Sequence, residues 1–361
     1  MKVGIIGAGQ LGRMLALAGY PLGLRFVFLD ASSDAPGGQV GEIIEGRFDD
    51  PQALRSLAER ADVVTFDVEN VPVEAVAEIA RLRPFRPSVE ALGAAQDRLE
   101  EKELLARLGV PVAPFCAVGS AGELDTALAE IGRPAVLKTR RLGYDGRGQR
   151  FIREAGDAAD AWQALGAVPM VLEGFVPFER EVSLIGVRSV SGRTAFYPLA
   201  ENVHGDGILR FSRAPYEDEP LQSRAEAHMA RLMEHLDYAG VLTIEFFVHD
   251  GELLANEMAP RVHNSGHWTI EGAVTSQFEN HLRGILDLPL GSTRPTGYSG
   301  MVNFLGHPPR LEDVLSIPTA HFHGYGKSPR PQRKLGHCTV VCESSADRDQ
   351  ALNRLVALSR K

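Results

Sequence analysis

Cysteine is scarce: Cys116, Cys338 and Cys342 are the whole complement, and an odd count without a C-x-x-C pair supports neither a disulfide framework nor a thiolate metal site. They read as small core residues in a reducing cytosol. Basic charge is also short. A formal net charge of -9 argues against a nucleic-acid partner, so any anionic ligand must be met locally. No apolar run reaches membrane-spanning length, and Met1 to Gln10 lacks the charged-then-apolar pattern of an export signal. A cytoplasmic protein without a membrane partner is therefore expected. Repeats and low-complexity tracts are missing, and 44% hydrophobic with 24% charged residues sets disorder aside. What remains is 361 residues of globular chain, enough for two or three domains.

The chain opens with the apolar strand Lys2 to Ile6, a glycine turn and a helix from about Leu11 to Gly19. The strand Arg25 to Leu29, a helical Pro51 to Arg60 and a strand Ala61 to Phe66 continue the alternation of a doubly wound parallel sheet. The expected divisions are 1–95 for this Rossmann-like domain, 96–180 for a linker helix and a lid, 181–290 for a central subdomain, and 291–361 for a small β-rich tail. A single polar helix, Ala94 to Leu108, is predicted to lead into the second division, stopping at Gly109-Val110-Pro111.

The first motif, Gly7-Ala8-Gly9-Gln10-Leu11-Gly12 with Asp30 after the next strand, fits the dinucleotide fingerprint. A nicotinamide-dependent oxidoreductase is thus a competing reading. Glycines that admit a phosphate to a helix amino terminus do not say whose phosphate it is.

Later motifs point to a nucleoside triphosphate. Pro134-Ala135-Val136-Leu137-Lys138 ends a buried strand with a lysine, and Gly143-Tyr144-Asp145-Gly146-Arg147-Gly148-Gln149 follows with amides that can wrap phosphoryl oxygens. Taken singly, the lysine could be a surface residue and the loop a plain hairpin. The run Met170 to Val176 ends a strand on Glu173, where main chain of Glu173-Gly174-Phe175-Val176 could read adenine, and alternation over Glu179 to Ser183 could turn Glu181 inward to a ribose. Glu245 interrupts the apolar strand Gly240 to Val248, and Glu257 sits in its return strand. A three-residue turn at Asp250 to Glu252 would set Glu245 opposite Glu257, and a two-residue turn opposite Asn256. Either way oxygen ligands cluster, and two close carboxylates ask for a cation such as Mg²⁺. The plainer alternative is a carboxylate balanced by Arg261.

Lysine, glycine loop, acidic hinge and carboxylate hairpin together resemble the ATP-grasp superfamily. The blocks Gly9 to Met14, Gly143 to Gln149, Ala200 to His204, Met258 to Thr269 and Arg333 to His337 resemble the N5-carboxyaminoimidazole ribonucleotide synthetase family, and span nearly the whole chain. Two departures stand out: Asp67 where that family usually has Glu, and Leu142 for a common Gly.

The resemblance implies a mixed α/β and α+β ATP-grasp fold with a mobile lid, a homodimer, and ATP and Mg²⁺ as cofactors. The substrates implied are 5-aminoimidazole ribonucleotide and bicarbonate. By the same resemblance Lys138 and residues 143–149 hold the triphosphate, Glu173 to Val176 the adenine and Glu181 the ribose. Arg98, His204 and Asn256 join the ATP site, with Glu245 and Glu257 on magnesium. Gln10, Leu11, Glu69, Tyr144, Arg261, Arg333 and Lys334 are implied around the ribonucleotide. Lys138, Arg147 and Arg261 would offset charge on the transferring phosphoryl group, with Asp145, and secondarily His267, serving the amine. A formate-using transformylase is the nearest alternative; no biotin-carrier motif supports a biotin carboxylase.

Overall fold

The computed structural model describes residues 1–143 and 146–359, which form three sheets. Parallel strands β1 (Lys2–Ile6), β2 (Arg25–Asp30), β3 (Glu42–Glu45) and β4 (Val63–Phe66) lie in the order β3-β2-β1-β4. The apolar runs of β1, β2 and β4 are buried on both faces, as a helix-covered parallel sheet requires, and β3 is the more exposed edge.

Strands β5 (Phe115–Val118), β6 (Ala135–Thr139), β7 (Gln149–Ile152) and β8 (Met170–Gly174) make an antiparallel sheet in the order β5-β8-β6-β7. Alternation gives it two unlike faces. Ala135, Leu137, Ile152, Met170 and Leu172 pack with Leu124, Leu128 and Trp162 from two helices, whereas Val136, Lys138, Gln149 and Phe151 turn toward a cleft.

The largest sheet holds β9 (Arg180–Arg188), β10 (Thr194–Phe196), β11 (Ala200–Gly205), β12 (Ile208–Ala214), β13 (Gly240–His249), β14 (Glu252–Ala259), β15 (Tyr298–Leu305), β16 (Ala320–Gly324) and β17 (Lys334–Cys342). Its order is β14-β13-β9-β11-β12-β15-β17-β16, with β10 also on β9. The expected tail strands therefore extend the central sheet through the β12–β15 pairing rather than forming a sheet of their own.

One predicted helix is two. Val89–Gln96 and Arg98–Arg107 are separated by Asp97, whose backbone is extended and whose carboxylate caps the Leu99 N–H at 3.1 Å. Arg140 and Arg141 also hold Asp97, at 2.8 and 3.2 Å. Three partners for one carboxylate outweigh the continuity of a polar helical pattern, which carries only a weak local preference.

His281 ties the first sheet to the third. Its Nδ1 accepts the Val241 N–H at 3.1 Å, which leaves Nε2–H to donate to Thr65 Oγ1 at 3.0 Å. Burial holds this imidazole neutral, with its pKa depressed to about 3. Because the unfolded value is higher, its contribution to stability is full above about pH 6.5 and is lost as pH falls toward the folded value. Replacing His281 by Gln should reduce the stability lost between pH 7 and 5.5 by about 1 kcal/mol in urea unfolding; an unchanged pH dependence would contradict this role.

Candidate functional site

The cleft of about 460 Å³ lies between the β5–β8 sheet and the β9–β14 face of the large sheet. Hairpin geometry builds its acidic end. Asp250 and Gly251 form a two-residue turn with φ of 50° and 73°, so His249 pairs with Glu252. That register alone would put Asn256 opposite Glu245. A bulge between Glu245 and Phe246 absorbs one residue, and Glu257 becomes the partner of Glu245. The turn is the shorter alternative, yet the pairing is that of the longer one, and Asn256 also lines the cleft.

Burial, then the neighbouring Glu257 charge, pushes Glu245 up to about 7. Burial opposes ionisation of Glu257 as well, but Arg98 at 2.9 Å, with Lys138 and Lys102 beyond, outweighs it and holds that carboxyl below the usual range. Glu245 meets His263 Nε2 at 3.1 Å. This donor set fits Mg²⁺: two carboxylates in adjacent strands that raise each other's cost of ionisation, with only oxygen ligands offered between them.

Arg98, expected as readily on a solvated helix face, is turned inward and also donates to the Gly143 carbonyl at 3.2 Å. Glu101 and Lys102 share its helix face at the three- and four-residue spacing. Glu101 accepts the Met258 N–H, and Lys102 reaches the Ala255 carbonyl at 3.2 Å. Lys138 lies 3.0 Å from Glu173 Oε2 and 3.4 Å from Asn256 Oδ1. Burial disfavours a charged Glu173, but Lys138 and Lys102 overcome this and hold its pKa at about 2.

Glu181 receives His204 Nδ1 at 2.8 Å; burial works against the imidazolium, and Glu181 reverses the balance, raising the His204 pKa. Phe178 stacks on Phe247 with centroids 4.6 Å apart, and Phe151 meets Phe175 edge-on, giving the cleft an aromatic end. Phe247 shares a strand face with Glu245, a spacing of two visible in sequence. Gly146, at φ 73°, runs so close to the β11–β12 turn that a Cβ there would sit 2.8 Å from Gly207 Cα.

Among expected residues, Arg98, Lys138, Gly146, Gln149, Glu173, Gly174, Phe175, Val176, Glu181, His204, Glu245, Asn256, Glu257 and Lys334 line this one cleft. Gly143 and Gly148 flank it in the loop, where the Gly148 carbonyl accepts the Thr139 N–H at 2.8 Å. Tyr144 and Asp145 lie outside the described residues. Arg147 belongs to the loop but not to the described lining.

A second group adjoins the cleft. Arg261 Nε is 3.1 Å from Glu69 Oε1, close enough for an ion pair but off hydrogen-bond alignment, since that oxygen has no bonded partner. Gln10 meets Lys327, a residue sequence reasoning missed. Burial, reinforced by Arg333, lowers the Lys327 pKa to about 8. Leu11 is buried in the core, and Arg333 donates to the Ser328 carbonyl at 3.0 Å. His263 was also missed, although it stands in the quoted Met258 to Thr269 block; the chain Ser212–Asn202–Ser183–Ser265, with links of 2.7, 2.9 and 2.8 Å, seats its loop on the sheet. His267 stands apart from the cleft lining. It is enclosed, 4.7 Å from the His337 ring and 5.5 Å from Phe278, and burial keeps it far below the ordinary histidine pKa, so it does not face the cleft.

The glycine fingerprint is filled from within. Asp67 Oδ2 accepts the Gly12 N–H at 2.9 Å, and Asp30 Oδ2 accepts the Ala8 N–H at 2.8 Å. A protein carboxylate thus occupies the helix amino terminus where a dinucleotide phosphate would sit, which removes the geometry of the oxidoreductase reading.

Comparison with known proteins gives the family. Residues 1–96 match the ribonucleotide synthetase preATP-grasp domain, 103–278 the ATP-grasp domain and 299–351 the phosphoribosylaminoimidazole carboxylase C-terminal domain. The chain is 51% identical over 358 residues to N5-carboxyaminoimidazole ribonucleotide synthase of Pseudomonas aeruginosa, covering 99% of each. The chain belongs to the N5-carboxyaminoimidazole ribonucleotide synthase family. The crystal structure of the synthetase from Thermus thermophilus is 54% identical, with a TM-score of 0.95 over 99% of this chain and 98% of that one. The Aspergillus clavatus synthase, solved with ADP and 5-aminoimidazole ribonucleotide, is 32% identical with a TM-score of 0.93, covering 99% and 98%. An ATP-grasp ligase with preATP-grasp and carboxylase C-terminal domains is the fold and class of this chain. No helix among its described residues is long and apolar enough to cross a membrane.

Gly7 tests the internal role of Asp67. Its φ is 94°, and a Cβ would lie 1.8 Å from Asp67 Oδ1. Gly7→Ala should therefore lower stability by at least about 2 kcal/mol, read by chemical unfolding. A loss within about 0.5 kcal/mol would mean the loop is open rather than filled.

Proposed function

We propose that the cleft binds Mg-ATP and drives carboxylation of 5-aminoimidazole ribonucleotide by bicarbonate, giving N5-carboxyaminoimidazole ribonucleotide, ADP and phosphate in purine biosynthesis. The observation that carries this reading is the convergence of Lys138, Arg98 and a close carboxylate pair in one cleft with an aromatic end. Relatives that are N5-carboxyaminoimidazole ribonucleotide synthases, one solved with ADP and 5-aminoimidazole ribonucleotide, supply the substrate.

Phe175, Phe178 and Phe247 offer an apolar slot for the base, and Glu181 with His204 a polar edge for the ribose. Lys138, Arg98 and the glycine loop meet the phosphates. Magnesium, held by Glu245 and Glu257, would neutralise triphosphate charge.

A bicarbonate oxygen attacks the γ-phosphorus, the bond to the ADP oxygen breaks, and carboxyphosphate forms. Lys138, Arg147 and Arg261 stabilise the charge on the transferring group. The exocyclic amine then takes the carboxyl carbon, phosphate leaves, and the amine proton passes to a base. Asp145 is assigned to orienting or deprotonating that amine. The ribonucleotide lies beside Glu69, Arg261 and Lys334, with Gln10 and Arg333 toward its phosphate. Residues 143–149 are assigned to excluding water from the labile intermediate.

Bicarbonate dependence is the primary test. ADP release with 5-aminoimidazole ribonucleotide should require bicarbonate and match product one to one, whereas formate-dependent release would assign a transformylase. Asp145→Asn should raise ADP released per carboxylated product, and a ratio equal to wild type would reduce Asp145 to a turn residue.

Substitutions test the cation and metal assignments. Lys138→Ala should cut turnover by about 10²–10³, and a loss under tenfold at saturating ATP would remove it from the phosphate site. Glu257→Gln should abolish ligation with the fold intact by circular dichroism; near-normal turnover at ordinary magnesium would sink the metal assignment.

A further inference from the structure

Lys102 has no part in the chemistry assigned so far, yet it is among the largest fully buried side chains, only 1% exposed. A buried ammonium is costly unless it is paired and fully hydrogen-bonded. Its partners are Glu173 Oε2 and the Ala255 carbonyl oxygen, each at 3.2 Å. Glu173 Oε2 is also the oxygen that Lys138 approaches, at 3.0 Å. Two ammonium groups share one carboxylate oxygen, while Glu173 Oε1 is buried without a partner.

The two lysines are not equivalent. Lys138 is on the cleft wall, on a strand of the smaller sheet. Lys102 projects from the helix Arg98–Arg107, on the far side of Glu173, and is not part of the lining. We propose that Lys102 is a positioning residue for nucleotide binding: it holds the Glu173 carboxylate so that Lys138 can leave that carboxylate for a phosphoryl oxygen.

Charge counting supplies the reason. In the resting cleft two cations contact one anion, and a phosphoryl oxygen completes the second pair. Without Lys102, Lys138 would be the only cation in contact with Glu173, with Arg98 acting from farther off. Moving it to a phosphate would then strand a buried carboxylate, a change that is strongly unfavourable. Lys102 also repels Lys138, which loosens the Lys138–Glu173 contact. The proposal rests on the assignment of Lys138 to the triphosphate.

The test measures ATP binding by calorimetry, together with KM for each substrate and kcat. Lys102→Met should weaken ATP binding by at least about tenfold, with KM for 5-aminoimidazole ribonucleotide unchanged, and Lys102→Arg should recover most of the loss. Glu173→Gln removes the anion that must be held. Lys102→Met should therefore cost little in the Glu173→Gln background, and the double variant should bind ATP more tightly than Lys102→Met alone. The same loss in both backgrounds, or a loss under twofold in the single variant, overturns the proposal. Should Lys102→Met be unstable, Glu173→Gln must restore its stability, and instability of both also overturns it. Lys138→Ala separates the two assignments. If it leaves ATP binding unchanged, the phosphate assignment itself fails; if it weakens binding while Lys102→Met does not, only the positioning role fails.

Discussion

Repulsion between Glu245 and Glu257 is the constraint around which the cleft is arranged. Adjacent strands bring the two carboxylates face to face in surroundings that screen them poorly, so every neighbouring cation has an electrostatic reason for its place. Arg98 sits against Glu257 and Lys138 reaches the intervening Asn256, while His263, which burial keeps neutral, meets Glu245. One helix, Arg98–Arg107, supplies three ionisable side chains to this network from a single face. An uncompensated pair would destabilise the fold; a compensated one that still favours an additional cation is a suitable seat for a metal and a polyphosphate.

Backbone contacts keep the two walls of the cleft in register. The Ala255 N–H bonds the Pro111 carbonyl at 2.7 Å, and the Glu179 N–H bonds the Val248 carbonyl at 2.9 Å, so the segments entering and leaving the smaller sheet are both tied to the acidic hairpin. Joining β15 to β12 makes the carboxy-terminal strands part of the same platform, and Lys334 at the start of β17 thereby reaches the cleft. Residues far apart in the chain share one site because one sheet carries them.

Asp67 shows how the same local motif can serve a different end. Glycines at 7, 9 and 12 leave room at a helix amino terminus, and a carboxylate from the end of β4 fills it. The Gly12 and Ala8 N–H groups are satisfied internally, and Gln10 at the helix start faces Lys327. Glycine spacing therefore specifies close approach, while the identity of the approaching group comes from a strand more than fifty residues away.

Strand and helix periodicity made the parallel domain, the lysine strand and the acidic hairpin legible, because those patterns are local and repeat every two or 3.6 residues. Specific blocks such as Met258 to Thr269 made the family legible, a claim the relatives bear out. Other features could not be read that way. The bulge that pairs Glu245 with Glu257 reverses what turn length implies, Asp97 breaks a continuous polar helix, and His267 is enclosed although its motif is intact. Lys102 and Glu101 look like an exposed charged helix until packing turns their face inward. Residue types and spacing by themselves determined the elements and their chemistry; only the tertiary structure decided which charges share a cleft, because burial and pairing are long-range energies that a linear pattern does not contain.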